Sequence, residues 1–82
     1  MSDDIRPFAQ RTFEIRRATL RHIANLSPNR VSVADIAGLT NAHLRTAQRA
    51  LKQLKEWGYL TADSHNPIGY KFNEEKREEL GL

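Results

Sequence analysis

Apolar residues recur at helical spacing over the first two thirds of the chain and then switch to short β-prone runs. In RTFEIRRATLRHIANL, residues 11–26, Phe13, Leu20, Ile23 and Ala24 fall near one face of a helix, with Ile15 and Leu26 widening it. Pro7 suits a first helical turn. The helix should end at Ser27-Pro28, because the residue before a proline avoids the helical region. Arg30-Val31-Ser32 is brief and extended. Ser32 stands three residues before Asp35, so it can cap a helix opening at Val33 while the acid sits favourably in the first turn. Val33, Ile36 and Ala37 give that short helix its inner face. The longest regular pattern follows: Leu44, Ala47, Leu51 and Leu54 recur at steps of three, four and three, with Ala50 and Trp57 beside them. Gly58 falls where a left-handed C-terminal residue is wanted.

Past Gly58 the period changes. Tyr59–Ala62 and Gly69–Phe72 are β-prone runs separated by the turn formers DSHNPI, which predicts a hairpin with a long loop. The expected class is mainly α with a small β-hairpin. Residues 1–10 are expected to be a flexible N-terminal segment and 11–72 one domain, with 73–82 either a charged C-terminal helix docked through Leu80 or a tail.

Eighty-two residues allow one small domain with a compact core. With no cysteine, disulfides, thiolate metal sites and cysteine nucleophiles are excluded. No apolar run is long enough to span a membrane or to form a signal peptide, so a cytoplasmic, nucleoid-associated protein is expected. The net charge of +3 is unevenly spread. Residues 1–72 hold 11 Lys/Arg and 6 Asp/Glu, residues 73–82 hold 2 and 4. A basic body with an acidic tail leans towards a polyanionic partner.

The succession of elements, together with SVADIAGLTNAHLRTAQRALKQLKEWGYL, resembles the winged helix-turn-helix DNA-binding domain of prokaryotic and phage transcription regulators. In that family an acid-Ile-Ala triplet opens helix 2, a Thr follows some eleven residues later, and helix 3 ends in a hydrophobic-Gly-aromatic/aliphatic-Leu run. Asp35-Ile36-Ala37, Thr46 and Trp57-Gly58-Tyr59-Leu60 match without a gap. The resemblance implies a three-helix core plus a wing over residues 11–72. Its register sets the turn glycine of the family on Asn41, not Gly38; Asn is the non-glycine residue that best tolerates a left-handed backbone. Gly38 would then lie within helix 2, where it lets another helix approach closely. Ala42 departs from the larger apolar residue the family carries. A bend at Gly38-Leu39, with Thr40 capping, is the competing register.

In the Asn41 register the second helix of the motif runs over about 43–57. Opposite its apolar stripe lie Arg45, Gln48, Arg49, Lys52 and Glu56. Arg pairs in bidentate fashion with guanine and Gln with adenine in the major groove. Arg45, Gln48 and Arg49 are the expected base readers. Thr46 and Lys52 are expected on phosphates, with Leu44 flanking and His43 adding a phosphate contact at the helix start. In the hairpin, His65, Asn66 and Lys71 are candidates for the minor groove or the backbone, although Asp63 is near and the tip holds no Arg. Arg11, Arg16, Arg17 and Arg21 form another basic set, either for solubility or for backbone contact. Trp57 and Tyr59 read as packing residues.

No cofactor, metal site or enzyme activity is expected. His22, His43 and His65 lie in different elements without an i,i+4 pair, and the four glycines are scattered. The expected function is sequence-specific double-stranded DNA binding by a small regulator, a repressor by preference, as monomer or weak DNA-assembled dimer, or with a partner protein. The alternatives are a winged-helix module of a replication or recombination assembly, and a phage-type adaptor or inhibitor presenting the same helix to a protein.

Overall fold

The computed structural model describes residues 8–65 and 67–82. Three helices come first, α1 (Phe8–Leu26), α2 (Val33–Thr40) and α3 (Leu44–Glu56). A two-stranded antiparallel hairpin follows, β1 (Leu60–Ala62) and β2 (Tyr70–Phe72), paired Leu60 to Phe72, Thr61 to Lys71 and Ala62 to Tyr70. A 3-10 turn (Glu74–Lys76) and one turn of helix, α4 (Arg77–Leu80), close the chain. The protein is mainly helical with one small hairpin. No helix among the described residues is long and apolar enough to cross a membrane.

The helix boundaries follow local chemistry. α1 stops two residues before Pro28, as the proline rule requires. At α2 the Ser32 hydroxyl accepts from the Asp35 N–H, and the Asp35 carboxylate accepts from the Ser32 N–H at 3.0 Å. This reciprocal cap satisfies two donors that the first turn leaves orphaned. α3 ends into Gly58, whose φ of 86° is the left-handed geometry that glycine takes without a Cβ penalty.

The core forms where the three helices meet the hairpin. Ile23 of α1, Ile36 of α2 and Leu51 of α3 are fully buried, and Leu54, Leu60, Tyr70 and Phe72 complete the cluster. Thr19 is buried among them because its hydroxyl donates to the Ile15 carbonyl at 2.7 Å, leaving no polar atom unpaired. Val31, in the extended link between α1 and α2, exchanges two backbone hydrogen bonds with Tyr70, at 2.9 and 2.8 Å. β2 therefore lies between β1 and this one-residue bridge. The link ties the helical half of the chain to the hairpin, and it buries Val31.

Four apolar residues sit outside the core that periodicity assigned to them. Phe13 is 62% exposed, Leu44 60%, Trp57 50% and Leu26 39%. Leu44 belongs to the first turn of α3, which overhangs the core; burial begins one turn later at Ala47. Trp57 meets Tyr59 edge-on, with ring centroids 6.4 Å apart, and lies on the surface under Arg16 rather than in the interior. Gly38 also differs from expectation. A Cβ built on it would meet nothing within 4 Å, so no helix approaches there.

The C-terminal segment is docked. Arg77 donates to both Glu74 carboxylate oxygens, at 2.7 and 2.8 Å, and to the Ala24 carbonyl at the end of α1, at 3.1 Å. Its guanidinium also covers the Phe72 ring at 4.9 Å. Leu80 and Leu82 pack on the core from outside.

Candidate nucleic-acid interface

The turn between α2 and α3 orients everything that follows. Asn41 adopts φ 52° and ψ 39°, and the N–H groups of Asn41 and Ala42 both donate to the Ala37 carbonyl. Thr40 does not cap α3; its hydroxyl donates back to the Ile36 carbonyl at 2.8 Å, as a residue inside α2 does. The bend thus falls at Asn41, and α3 begins at Leu44 with His43 as its N-cap. The His43 side chain makes no capping hydrogen bond, and the first turn of α3 holds no acid. The orphan N–H groups there, with the positive end of the helix dipole, suit an anion.

Ala47, Ala50, Leu51 and Leu54 bury one face of α3. Arg45, Gln48, Arg49 and Lys52 are exposed, and Thr46 is half-buried. Among the described residues, the salt bridges engage Arg30, His65 and Arg77; none engages Arg45, Arg49 or Lys52. These three cations keep their full donor capacity towards an outside partner. Thr46, Arg49 and Lys52 also border a groove against Thr12 and Arg16 of α1, with the exposed Glu56 among its lining residues. Seven of the predicted site residues, His43, Leu44, Arg45, Thr46, Gln48, Arg49 and Lys52, are carried on this one element.

Within α1, Arg16 is no solvated spectator. It donates to the Gln53 side-chain oxygen of α3 and stacks over the Trp57 ring at 5.2 Å. Its Nε is buried without a partner among the described residues.

The hairpin loop is organised around an acid. Asp63 accepts from the Arg30 guanidinium at 2.7 Å and from the backbone N–H groups of His65 and Gly69, at 3.1 and 2.9 Å. Arg30 also donates to the Pro67 carbonyl at 2.7 Å. First the Arg30 hydrogen bond and then those N–H groups hold the Asp63 carboxyl well below the usual carboxylate range. A Cβ at Gly69 would collide with the Arg30 guanidinium, so a larger residue there would push Arg30 off its place beside Asp63. His65 is exposed with Nδ1 3.4 Å from Asp63 Oδ1, and Lys71 is exposed on β2 between buried Tyr70 and Phe72. Asn66 lies outside the described residues.

Arg30 and Asp63 were not among the expected site residues. The spacing of an Asp before turn formers and a Gly six residues later is a visible signal for the loop. The partner is not, because Arg30 is 33 residues away along the chain.

No known family model matches the chain, and neither a curated protein nor a solved structure gives a significant match.

Proposed function

We propose that the chain is a small winged helix-turn-helix regulator that binds double-stranded DNA by seating α3 in the major groove. The observation that carries this is the outer face of α3, where Arg45, Arg49 and Lys52 stand exposed with no carboxylate partner among the described residues. Three further features support it. Asn41 makes a tight left-handed turn between two packed helices. Val31 bridges β2, so that the hairpin abuts the helical core as a wing would. The start of α3 also offers free N–H groups beside His43.

Bidentate donors on an exposed helix match guanine, and Gln48 matches adenine. Arg45, Gln48 and Arg49 are assigned to base edges, Thr46, Lys52 and His43 to phosphates. The hairpin plays the lesser part. Its one arginine-scale charge nearby is spent on Asp63, which leaves Lys71 and His65 for backbone contact.

Selection of bound duplexes from a random pool tests this. A recovered consensus is expected, with log K falling against log salt by about 0.9 per phosphate neutralised. Equal, weak binding of all duplexes at physiological salt removes the regulator assignment.

A further inference from the structure

An open groove of about 480 Å³ lies between α1, the end of α3 and the C-terminal turn. Phe13 and Leu20 of α1 contribute apolar surface from one side, and Leu54, Trp57, Leu80 and Leu82 contribute it from the other. Phe13 and Trp57 are both at least half exposed, so two large rings stand open to solvent along it. Apolar surface gathered in a concave strip with exposed aromatics marks a place where a partner lies. None of the seven α3 residues assigned to DNA lines this groove.

The charged side chains of the groove have one sign and come from one element. They are Arg16, Arg17 and Arg21 of α1, and no Asp or Glu side chain lines it; the exposed Glu78 and Glu79 precede Leu80 but stay outside the lining. Arg17 and Arg21 are exposed, and among the described residues no side-chain hydrogen bond or salt bridge engages them. They stand about 6 Å apart along the helix. Phe13, Arg17, Leu20 and Arg21 fall at i, i+4, i+7 and i+8, so apolar and cationic groups share one stripe. Arg16 completes the row, bonded to Gln53 and lying over Trp57, with its Nε still lacking an acceptor among the described residues.

We propose that this groove receives a short acidic segment of another protein, one that carries bulky apolar residues beside its carboxylates. Its apolar side chains enter between Phe13 and Trp57, and two carboxylates about 6 Å apart pair with Arg17 and Arg21. That spacing corresponds to one helical turn, or to alternate residues of a strand, in the partner. The guanidinium–carboxylate pairs fix the orientation, because the wall opposite α1 carries no charged side chain. A nucleic-acid strand fits less well. Arg16 already covers the Trp57 ring and Tyr59 meets it edge-on, which leaves little open aromatic face for base stacking, and the other apolar lining is largely leucine. Because the groove and the outer face of α3 use different residues, the chain can hold such a segment and a duplex together.

Selection from a random peptide library against the full chain without DNA tests this, so the outcome is independent of the DNA-binding assignment. Recovered peptides should be rich in Asp and Glu together with Leu or Phe. A recovered peptide that lacks tryptophan, titrated against the chain, should shift the emission of Trp57, the single tryptophan. The variant R17E/R21E, changed at exposed positions, should keep the circular dichroism melt and bind this peptide at least tenfold more weakly. Replacing the acids of the peptide by Lys should abolish binding to the wild type and restore it on R17E/R21E. Phe13→Ser, also at an exposed position, should weaken the acidic peptide on the wild-type arginines. A selection that yields no acidic and apolar consensus overturns the proposal, as does a peptide of Glu alone that binds equally well. Undiminished binding by R17E/R21E overturns it too, and so does a single-stranded oligonucleotide or an anionic lipid vesicle that shifts Trp57 at lower concentration than the peptide.

Discussion

The arginines of α3 and those at the edges of the molecule are the same residue put to opposite uses. Arg30 and Arg77 each face a carboxylate and a backbone carbonyl, and each ties two distant segments together. Arg45 and Arg49 face solvent with no acceptor from the chain among the described residues. A guanidinium is satisfied by whatever acceptors surround it. Where the fold supplies them the residue is structural, and where it does not the donors remain for a partner. Net charge therefore overstates the surface available to a polyanion, and the location of unpaired cations states it better.

The sharpest way to break this contrast is on α3. Arg49→Ala should cost about 1–3 kcal/mol of specific DNA affinity and relax base preference at one position. The same change should move the thermal midpoint little, as surface substitutions do. Arg30→Ala should do the reverse, lowering the thermal midpoint while leaving base preference intact. Binding isotherms and melts on both variants decide the matter; equal effects of the two on DNA preference would erase the distinction.

Asn41 comes next. Its left-handed backbone penalises a β-branched side chain, so Asn41→Val should cost about 1–2 kcal/mol in chemical denaturation, while Asn41→Gly should be tolerated. Loss of DNA binding in Asn41→Val beyond its loss of stability would show that the turn also aims α3. At Gly38 the sign flips. With open space around the added methyl, Gly38→Ala should stabilise by about 0.5–1 kcal/mol and leave DNA affinity unchanged.

The edge pairs respond to acid, with no effect near neutrality. Hydrogen bonds from Arg77 and then from Ser27 hold the Glu74 pKa down to about 2, against an ordinary 4.5. As pH falls, the unfolded chain takes up this proton first. The stabilisation is complete above about pH 4.5 and fades between there and about pH 2. Asp63 follows the same direction, starting below 3.8. Glu74 is exposed and Asp63 half-buried, so solvent screening keeps the Glu74 part modest. An acid melt of Arg77→Gln should lose the Glu74 part of this slope; an unchanged slope would dismiss the pair as a stabilising contact.

Much of the architecture was legible along the chain because its signals are local. Ser32 and Asp35 cap across three residues, Pro28 stops α1, Gly58 stops α3, and Asn41 takes the left-handed turn between α2 and α3. The buried stripe of α3 from Ala47 to Leu54 likewise follows from helical period. Burial of single apolar residues was less legible. Phe13, Leu44 and Trp57 have the right phase for a core but stay at least half exposed, Trp57 under Arg16 rather than under apolar neighbours. Phase gives the direction of a side chain on its own helix; cover depends on what packs alongside.

Among the candidate residues, exposure of Arg45, Gln48, Arg49 and Lys52 followed from the same period. That no carboxylate among the described residues binds the three cations could be found only once the chain had folded. Residue order alone specifies which segments become helices, where they end and which stripe of α3 turns inward, because each depends on contacts a few positions apart. Packing decides that Arg30 reaches Asp63, that Arg77 reaches Ala24 and Phe72, and that Arg16 lies between Gln53 and Trp57. The Arg30–Asp63, Arg16–Gln53 and Arg77–Ala24 contacts join positions 33 to 53 residues apart, and no short-range pattern encodes them.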